Sequence, residues 1–202
     1  MNITAFFIFV NVEMKIFLSR QYISFMQRLY STQLIATDGG SLRNGKHDCR
    51  CAYSIFFGDN DQRNESGEIF KNPSNQTAEL TAITKAIAII SDQKENHTVG
   101  DRYVILSDSD YSIKCITQWA PKWIRSNWKK SDGKPVHHRY LLEDAVKQYA
   151  MIKDYVTFKH IRSHKRPPTN RTSEAYLEWY SNDQADRMCT NILKMRKSIG
   201  TE

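Results

Sequence analysis

The sequence lacks an apolar run long enough to cross a bilayer, which requires about 20 residues. Its longest apolar stretch covers residues 3–10, and Thr4 interrupts it. No cationic residue precedes this stretch and no small-residue cleavage site follows it, so it does not have the pattern of a signal peptide. We therefore expect no membrane-spanning segment and no membrane partner.

Cysteine, glycine and proline are also scarce, with 4 Cys, 8 Gly and 5 Pro among 202 residues. Such a composition excludes a fibre and a disordered polymer. The few cysteines do not form the dense pattern of a small secreted domain, which favours a reducing intracellular compartment, the cytoplasm or the nucleus. Cys49 and Cys51 have no second pair of ligands nearby in the sequence, which argues against a zinc site.

Positive charge is in excess. Lys and Arg total 29 against 22 Asp and Glu, for a net charge of +7. This balance favours a polyanionic partner without requiring one. The length fits one globular domain with extensions, because domains commonly contain about 100–200 residues.

The composition changes near Thr32, where the first core strand is expected to begin. We predict an N-terminal extension over residues 1–31 and one folded domain over residues 32–202, since no linker divides the latter. Residues 15–31 carry three cations, three serines and no acid, a composition that is compatible with an organelle presequence. The alternatives are a loosely packed extension and an upstream start codon read into the chain.

Apolar periodicity predicts the order of the elements. Strands are expected at residues 34–36, 52–57, 68–71, 103–106 and 155–161. Helices are expected from residue 75 to about 90, at 111–119 with Pro121 as the stop, at 139–151 and at 182–198 with Ser181 and Gln184 as a capping box. Three strands followed by alternating helices and strands predict an α/β fold, a mixed five-stranded sheet flanked by helices.

Four acidic residues occupy positions that suit a metal centre. Asp38 and Asp108 each end a predicted strand, and ligand sites in open α/β sheets lie at the carboxyl ends of strands. Glu79 lies on the core-facing side of the first helix, and Asp186 in the first turn of the last helix is expected to join them. Neighbouring carboxylates repel unless cations bind them, so the group predicts Mg²⁺ binding. Taken singly, each acid could instead cap a helix or face solvent.

The segments around these acids resemble the four signature segments of the type I ribonuclease H family, in order and in spacing. They are residues 37–39, 75–80, 107–109 and 182–186. Residues 115–119 and 123–136 extend the similarity and resemble the basic protrusion of many members, here residues 119–139. The resemblance covers residues 32–195 and implies the ribonuclease H-like fold.

The resemblance also implies an activity and a metal site. It implies an endonuclease that cuts the RNA strand of RNA/DNA hybrids and leaves 5′-phosphate ends, working as a monomer. Asp38, Glu79, Asp108 and Asp186 would hold two Mg²⁺ ions, with Mn²⁺ as the alternative. His164 matches the family's mobile histidine, which could move a proton or help to release product.

The hybrid is the implied partner, and short amides suit the 2′-hydroxyls of its shallow minor groove. The residues matched to substrate binding by motif or by charge are Asn44, Ser74, Asn75, Gln76, Trp119, Lys122, Arg125, Lys129, Lys130, Lys134 and Asn182. Among these, Ser74 would hold a DNA-strand phosphate and Trp119 would contact the DNA strand. The asparagines could equally serve turns and caps.

The chain departs from the family between His164 and Asn182, where 17 residues form a longer connection, predicted as a loop over residues 165–181. Two other functions stay open. One is a hybrid-binding module that does not cut, although all four acids are present. The other is a different nuclease or integrase of the same fold, against which His164, Asn182 and the basic protrusion count.

Overall fold

A computed structural model describes residues 32–93, 102–163 and 165–195, so the predicted extension over residues 1–31 lies outside the described part of the chain. The strands form one mixed sheet in the order β3-β2-β1-β4-β5. The strands are β1 Thr32–Leu42, β2 Arg50–Phe56, β3 Glu65–Ile69, β4 Arg102–Ser107 and β5 Val156–His160. Antiparallel pairing joins β1, β2 and β3, while β4 lies parallel to both β1 and β5. The predicted α/β fold with five strands is confirmed.

Helices cover both faces of this sheet. They are α1 Asn75–Asp92, α2 Asp110–Lys114, a π-helical segment Cys115–Trp119, α3 Ala120–Arg125, α4 Arg139–Ile152 and α5 Glu174–Met195. Side chains of a strand alternate between the faces, so Ile35 and Ile105 pack with α1 and α4 while Ala36 and Leu106 pack with α5. Burial on both faces explains why these strands are apolar without alternation.

None of the helices in the described ranges is long and apolar enough to span a membrane.

The last helix begins eight residues earlier than predicted, so Ser181 lies buried inside α5 and the predicted capping box is wrong. The N-terminus is capped instead by Ser173, whose Oγ accepts a hydrogen bond from the backbone N–H of Tyr176 at 3.2 Å. The predicted loop over residues 165–181 is therefore a loop only up to Ser173. Tyr180 explains the extra helix, because its ring packs edge-on against Phe56 at 6.2 Å.

Three other boundaries differ from the prediction. The first strand does not end before Asp38 but continues to Leu42, because β2 pairs with it along that length. The third strand lies at Glu65–Ile69, a few residues earlier than predicted. Pro121 does not stop its helix. It lies in the first turn of α3, directly after the π-helical segment, and in a first turn the N–H that proline lacks would have no partner in the helix.

Gly39 permits the contact that positions α1 on the sheet. A Cβ atom at this position would lie 2.7 Å from the Cα of Glu79 and closer still to the Glu79 nitrogen and the Ala78 carbonyl carbon. The backbones of β1 and α1 therefore touch at this point. Only glycine leaves room for that approach.

We expect Gly39→Ala to lower the free energy of unfolding by at least about 2 kcal/mol, because the methyl group must push one backbone away from the other. Gly40→Ala is the matched control, since a Cβ there would meet only the Cys189 and Leu193 side chains, at 3.0 and 3.3 Å. Urea unfolding of both variants measures the difference. An equal loss in the two would show that the backbone contact is not the constraint.

Candidate metal centre and nucleic-acid interface

Three carboxylates meet at the carboxyl edge of the central strands. One oxygen each of Asp38, Glu79 and Asp108 lies within 4.8 Å of the others. The register explains the first pair: Ala36 of β1 is opposite Leu106 of the parallel strand β4, so the residues two positions further along meet as well. Glu79 joins them because the contact at Gly39 holds α1 against β1. The convergence expected from the strand ends is thus present.

Asp186 lines the same cleft as Asp38 and Asp108, although it is not one of the three converging acids. It lies in the middle of α5 and not, as expected, in its first turn. The position of α5 is fixed from β2, where the Ser54 hydroxyl donates to the carbonyl of Ala185 at 2.7 Å. The thiol of Cys189 donates to the carbonyl of Ala52 at 3.3 Å.

Burial and mutual repulsion disfavour negative charge at this site. Burial, followed by the charges of Asp108 and Asp186, raises the pKa of Asp38 to about 7. Burial, followed by the charges of Asp108 and Asp38, raises the pKa of Glu79 to about 10. Oε2 of Glu79 is buried and has no hydrogen-bond partner in the part of the chain that the structure describes. These oxygen ligands fit a hard divalent cation, which would supply the missing partner.

Two neighbouring groups that the sequence reasoning missed hold the site in place. The hydroxyl of Thr37 donates to the carbonyl of Leu106 at 3.0 Å, which ties β1 to β4 directly before the acids. Nε2 of His160 lies 3.0 Å from the backbone carbonyl oxygen of Asp108. His160 ends the parallel strand β5, so the rule that located Asp38 and Asp108 could have found it. His164 lies outside the described residues.

The predicted groove residues lie together at the N-terminus of α1, one turn before Glu79. Oδ1 of Asn44 accepts a hydrogen bond from the backbone N–H of Asn75 at 3.1 Å, and the Ser41 hydroxyl donates to Oδ1 of Asn75 at 3.2 Å. Ser74 caps the helix, since its Oγ accepts from the N–H of Thr77 at 3.1 Å. Gln76 is exposed. Capping and substrate contact are compatible, because Asn75 and Gln76 stay at the surface.

Tryptophan rings anchor the predicted basic protrusion. Trp128 is buried, and its backbone N–H donates to the carbonyl of Trp123 at 2.6 Å. Trp119 is half-buried, with its ring 5.7 Å from Tyr111 and 5.8 Å from Trp123. The cations on this surface are exposed: Lys122, Arg125, Lys129, Lys130 and Lys134. The tryptophan side chains thus pack the protrusion against the rest of the domain, while its charged side chains face solvent.

A cleft of about 450 Å³ opens over the acids. Asp38, Asp108 and Asp186 line it, together with Asn182 and Asp183 of α5. The other lining residues belong to the end of β5, to the loop that follows it and to the N-terminal half of α5. Among the predicted residues, the structure therefore gathers Asp38, Asp108, Asp186 and Asn182 in this cleft, with Glu79 against the first two.

Comparison with known proteins gives a consistent result. A model of the RNase H family matches residues 31–193. The chain is 34% identical to a ribonuclease H of Schizosaccharomyces pombe over 157 residues, covering 77% of this chain and 51% of the relative. It is 32% identical to a ribonuclease H of Thiobacillus denitrificans over 105 residues, covering 51% of this chain and 64% of the relative. The chain thus spans about half to two thirds of the length of these relatives.

The fold also matches a solved structure. The foamy viral protease-reverse transcriptase in complex with RNA/DNA hybrid superposes with a TM-score of 0.60 at 16% identity, covering 82% of this chain and 20% of that one. At this identity, the likeness concerns the fold alone.

The raised pKa values predict that the metal-free protein loses stability as the pH rises. Unfolded carboxyl groups ionise near pH 4, whereas in the fold Asp38 ionises at about pH 7 and Glu79 at about pH 10. Between these values the folded state binds more protons than the unfolded state, so the free energy of unfolding falls with increasing pH. Urea unfolding in EDTA at pH 5, 7 and 9 measures the fall.

Glu79→Gln should flatten this pH dependence, because an amide does not titrate. Glu174→Gln, which changes an exposed carboxyl group at the start of α5, is the control and should leave the fall unchanged. A stability that rises from pH 5 to pH 9 in the metal-free wild type would contradict the assignment.

Proposed function

The chain belongs to the RNase H family, and from this premise we propose that it is an endonuclease that cuts the RNA strand of RNA/DNA hybrids. The observation that carries the proposal is the group of converging carboxylates, in which one buried oxygen of Glu79 has no hydrogen-bond partner in the described ranges. Such a group is costly to fold unless cations bind it. The cations that would relieve this repulsion are the same cations that a nuclease uses to cleave a phosphodiester.

We propose Mg²⁺ as the cation, two ions in each site, with Mn²⁺ as the alternative. Asp38, Glu79, Asp108 and Asp186 would hold the ions through oxygen ligands, which both cations prefer. When bound, two such ions activate the attacking water and stabilise the leaving oxygen. His160 keeps the backbone of Asp108 in place through the 3.0 Å contact with its carbonyl oxygen. His164 is proposed to accept or donate a proton beside the site, from its match to the family motif.

The substrate would be held from two surfaces on the same molecule. Asn44, Asn75, Gln76 and Asn182 would contact the minor groove, where amides can both donate to and accept from 2′-hydroxyls. Ser74 would add a phosphate contact at the start of α1. Trp119 and the exposed cations of the protrusion would follow the DNA strand by stacking and by contact with its phosphates. We propose that residues 32–202 form this catalytic domain and that it acts as a monomer.

Asp108→Asn tests the metal assignment. The amide keeps the size of the side chain and removes the charge, so we expect the fold to survive and cutting to fall at least about a hundredfold. The metal-free variant should be slightly more stable than the wild type, because one repulsive charge is gone. Hybrid binding should stay close to wild type. Thermal unfolding, hybrid binding and magnesium-dependent cutting measure the three effects.

Asp110→Asn is the matched control two residues away. Asp110 is exposed and pairs with Lys114, so its change should leave cutting intact. Wild-type assays on hybrid, duplex RNA and duplex DNA, with Mg²⁺ and then with EDTA, separate the alternatives. Binding without cutting would indicate a hybrid-binding module, and cutting of duplex DNA would indicate another nuclease of this fold. Near-normal cutting by the folded Asp108→Asn variant would refute the assignment of Asp108 to the metal site.

Replacing Lys129, Lys130 and Lys134 together with Ala tests the protrusion. We expect a higher KM, an unchanged kcat and a shallower salt dependence, because each lost phosphate contact removes about one unit of slope. A control triple of the same charge, Lys147, Lys153 and Lys194 to Ala, removes exposed cations outside the protrusion. Hybrid binding from low to moderate salt gives the slopes. Equal slopes in the wild type and the protrusion variant would show that this surface does not touch the substrate.

A further inference from the structure

The loop between β5 and α5 builds one side of the cleft over the acids. Arg162, Lys165 and Arg166 of this loop and Trp179 of α5 line that side, and we call these four residues the outer wall. The wall includes part of the chain that departs from the family pattern, because Trp179 lies in the N-terminal turns by which α5 exceeds its predicted length.

The outer wall presents positive charge that the protein does not neutralise. Arg162, Lys165 and Arg166 are exposed, and within the described ranges none of them forms an ion pair. Of the three acids that α5 brings to the same cleft, Asp186 belongs to the candidate metal centre and the other two are already paired. Glu178 contacts Lys159, and Asp183 contacts Arg187 at 2.7 Å. The three cations are therefore available to an anion that enters the cleft.

Hydrogen bonds fix the described part of the loop at two points. Nε1 of Trp179 donates a hydrogen bond to the carbonyl of Lys165 at 3.0 Å, and the ring of Tyr176 lies 5.5 Å from that of Trp179. At its far end, the Ser173 hydroxyl donates to the carbonyl of Asn170 at 2.6 Å. Consecutive prolines at 167 and 168 restrict the backbone between these points. A loop ordered before binding loses less entropy when it takes up a ligand.

We propose that the outer wall is an additional phosphate-binding subsite for the strand that is cut. The proposal rests on the proposed function, which places the scissile phosphate over Asp38, Asp108 and Asp186. Because the wall lines the same cleft as these acids, its ligand is continuous with the phosphate that reacts. The volume of about 450 Å³ is that of a small-ligand site and suits the backbone of one strand, not a duplex.

The chemistry of the wall suits phosphate. The planar fork of arginine matches two phosphate oxygens at once, and lysine adds a point charge. In the described part of the chain, the residues that line the cleft come neither from the start of α1 nor from the protrusion. The outer wall is thus a third contact surface, separate from the groove amides and from the cations expected on the DNA strand.

The first test compares two triple variants of the full chain. Arg162, Lys165 and Arg166 are changed to Ala in one, and the exposed control residues Lys147, Lys153 and Lys194 in the other. Binding to hybrid is measured in EDTA over a range of salt. We expect the wall variant to lose about two to three units of salt slope, since each phosphate contact contributes about 0.9. Its KM should rise about tenfold with kcat retained, while the control stays near wild type.

The second test identifies the strand. A set of hybrids carries one uncharged methylphosphonate linkage each, placed at successive positions along the RNA strand or the DNA strand. In the wild type, linkages at fixed distances from the cut on the RNA strand should slow cutting. In the wall variant the same linkages should no longer slow cutting, because the three cations that contact those phosphates have been removed. Interference on the DNA strand should be the same in both proteins.

Trp179→Phe tests the positioning of the loop. It keeps an aromatic ring and removes the N–H that binds Lys165, so KM should rise severalfold while kcat stays unchanged. Thermal unfolding checks that each variant is folded, and the single changes Arg162→Ala and Arg166→Ala replace the triple if it is not. Each single change should then cost about one unit of slope.

The outcomes separate this proposal from the one on which it rests. A wild type that neither binds nor cuts the hybrid would overturn the proposed function and this subsite with it. A wild type that cuts, with equal salt slopes in the wall variant and the control, would overturn the subsite alone. If the wall variant loses the interference on the DNA strand and keeps that on the RNA strand, the assignment of the wall to the cut strand would be overturned.

Discussion

The acidic cluster depends on one contact between two backbones, that of β1 at Gly39 with that of α1 at Ala78 and Glu79. This contact sets Glu79 beside Asp38, and the parallel register of β1 with β4 adds Asp108. Buried like charges destabilise the metal-free fold, so the remainder of the molecule must offset them. The offset comes from apolar layers on both faces of the sheet, in which α1 alone buries residues such as Leu80, Ile83 and Ile87. Site and core are therefore built on the same helix.

The sequence was sufficient to predict the order of the elements and the convergence of Asp38, Glu79 and Asp108, because both follow from local rules. Apolar periodicity locates helices and strands and sets Glu79 on the core-facing side of α1, and the carboxyl ends of parallel strands locate Asp38 and Asp108. The predicted end of β1 was wrong for a non-local reason. Asp38 pairs with Ser54 of β2 and stays inside the strand, and nothing in the residues next to Asp38 reports that partner.

The start of α5 could not be predicted for the same reason. Tyr176, Leu177, Trp179 and Tyr180 follow two prolines and resemble an apolar loop cluster when considered alone. They become helical because Tyr180 finds partners far away in the sequence. Its ring packs on Phe56, and its hydroxyl donates to Asp59 at 2.8 Å across 121 residues. A connection that local signals assign to a loop thus extends a helix and adds a side to the cleft.

The charges of the molecule are separated by function. Acids line the cleft with Glu79 buried against them, whereas the cations of the protrusion and of the loop after β5 lie on exposed surfaces. A phosphate and ionised carboxylates repel each other, because both are negative. Under the proposed function, the exposed cations would hold the hybrid by its phosphates whether or not the acids carry metal, and bound cations would be required only for the cut. On that proposal, affinity and cutting depend on different residues, and metal binding at the acids controls only the cutting.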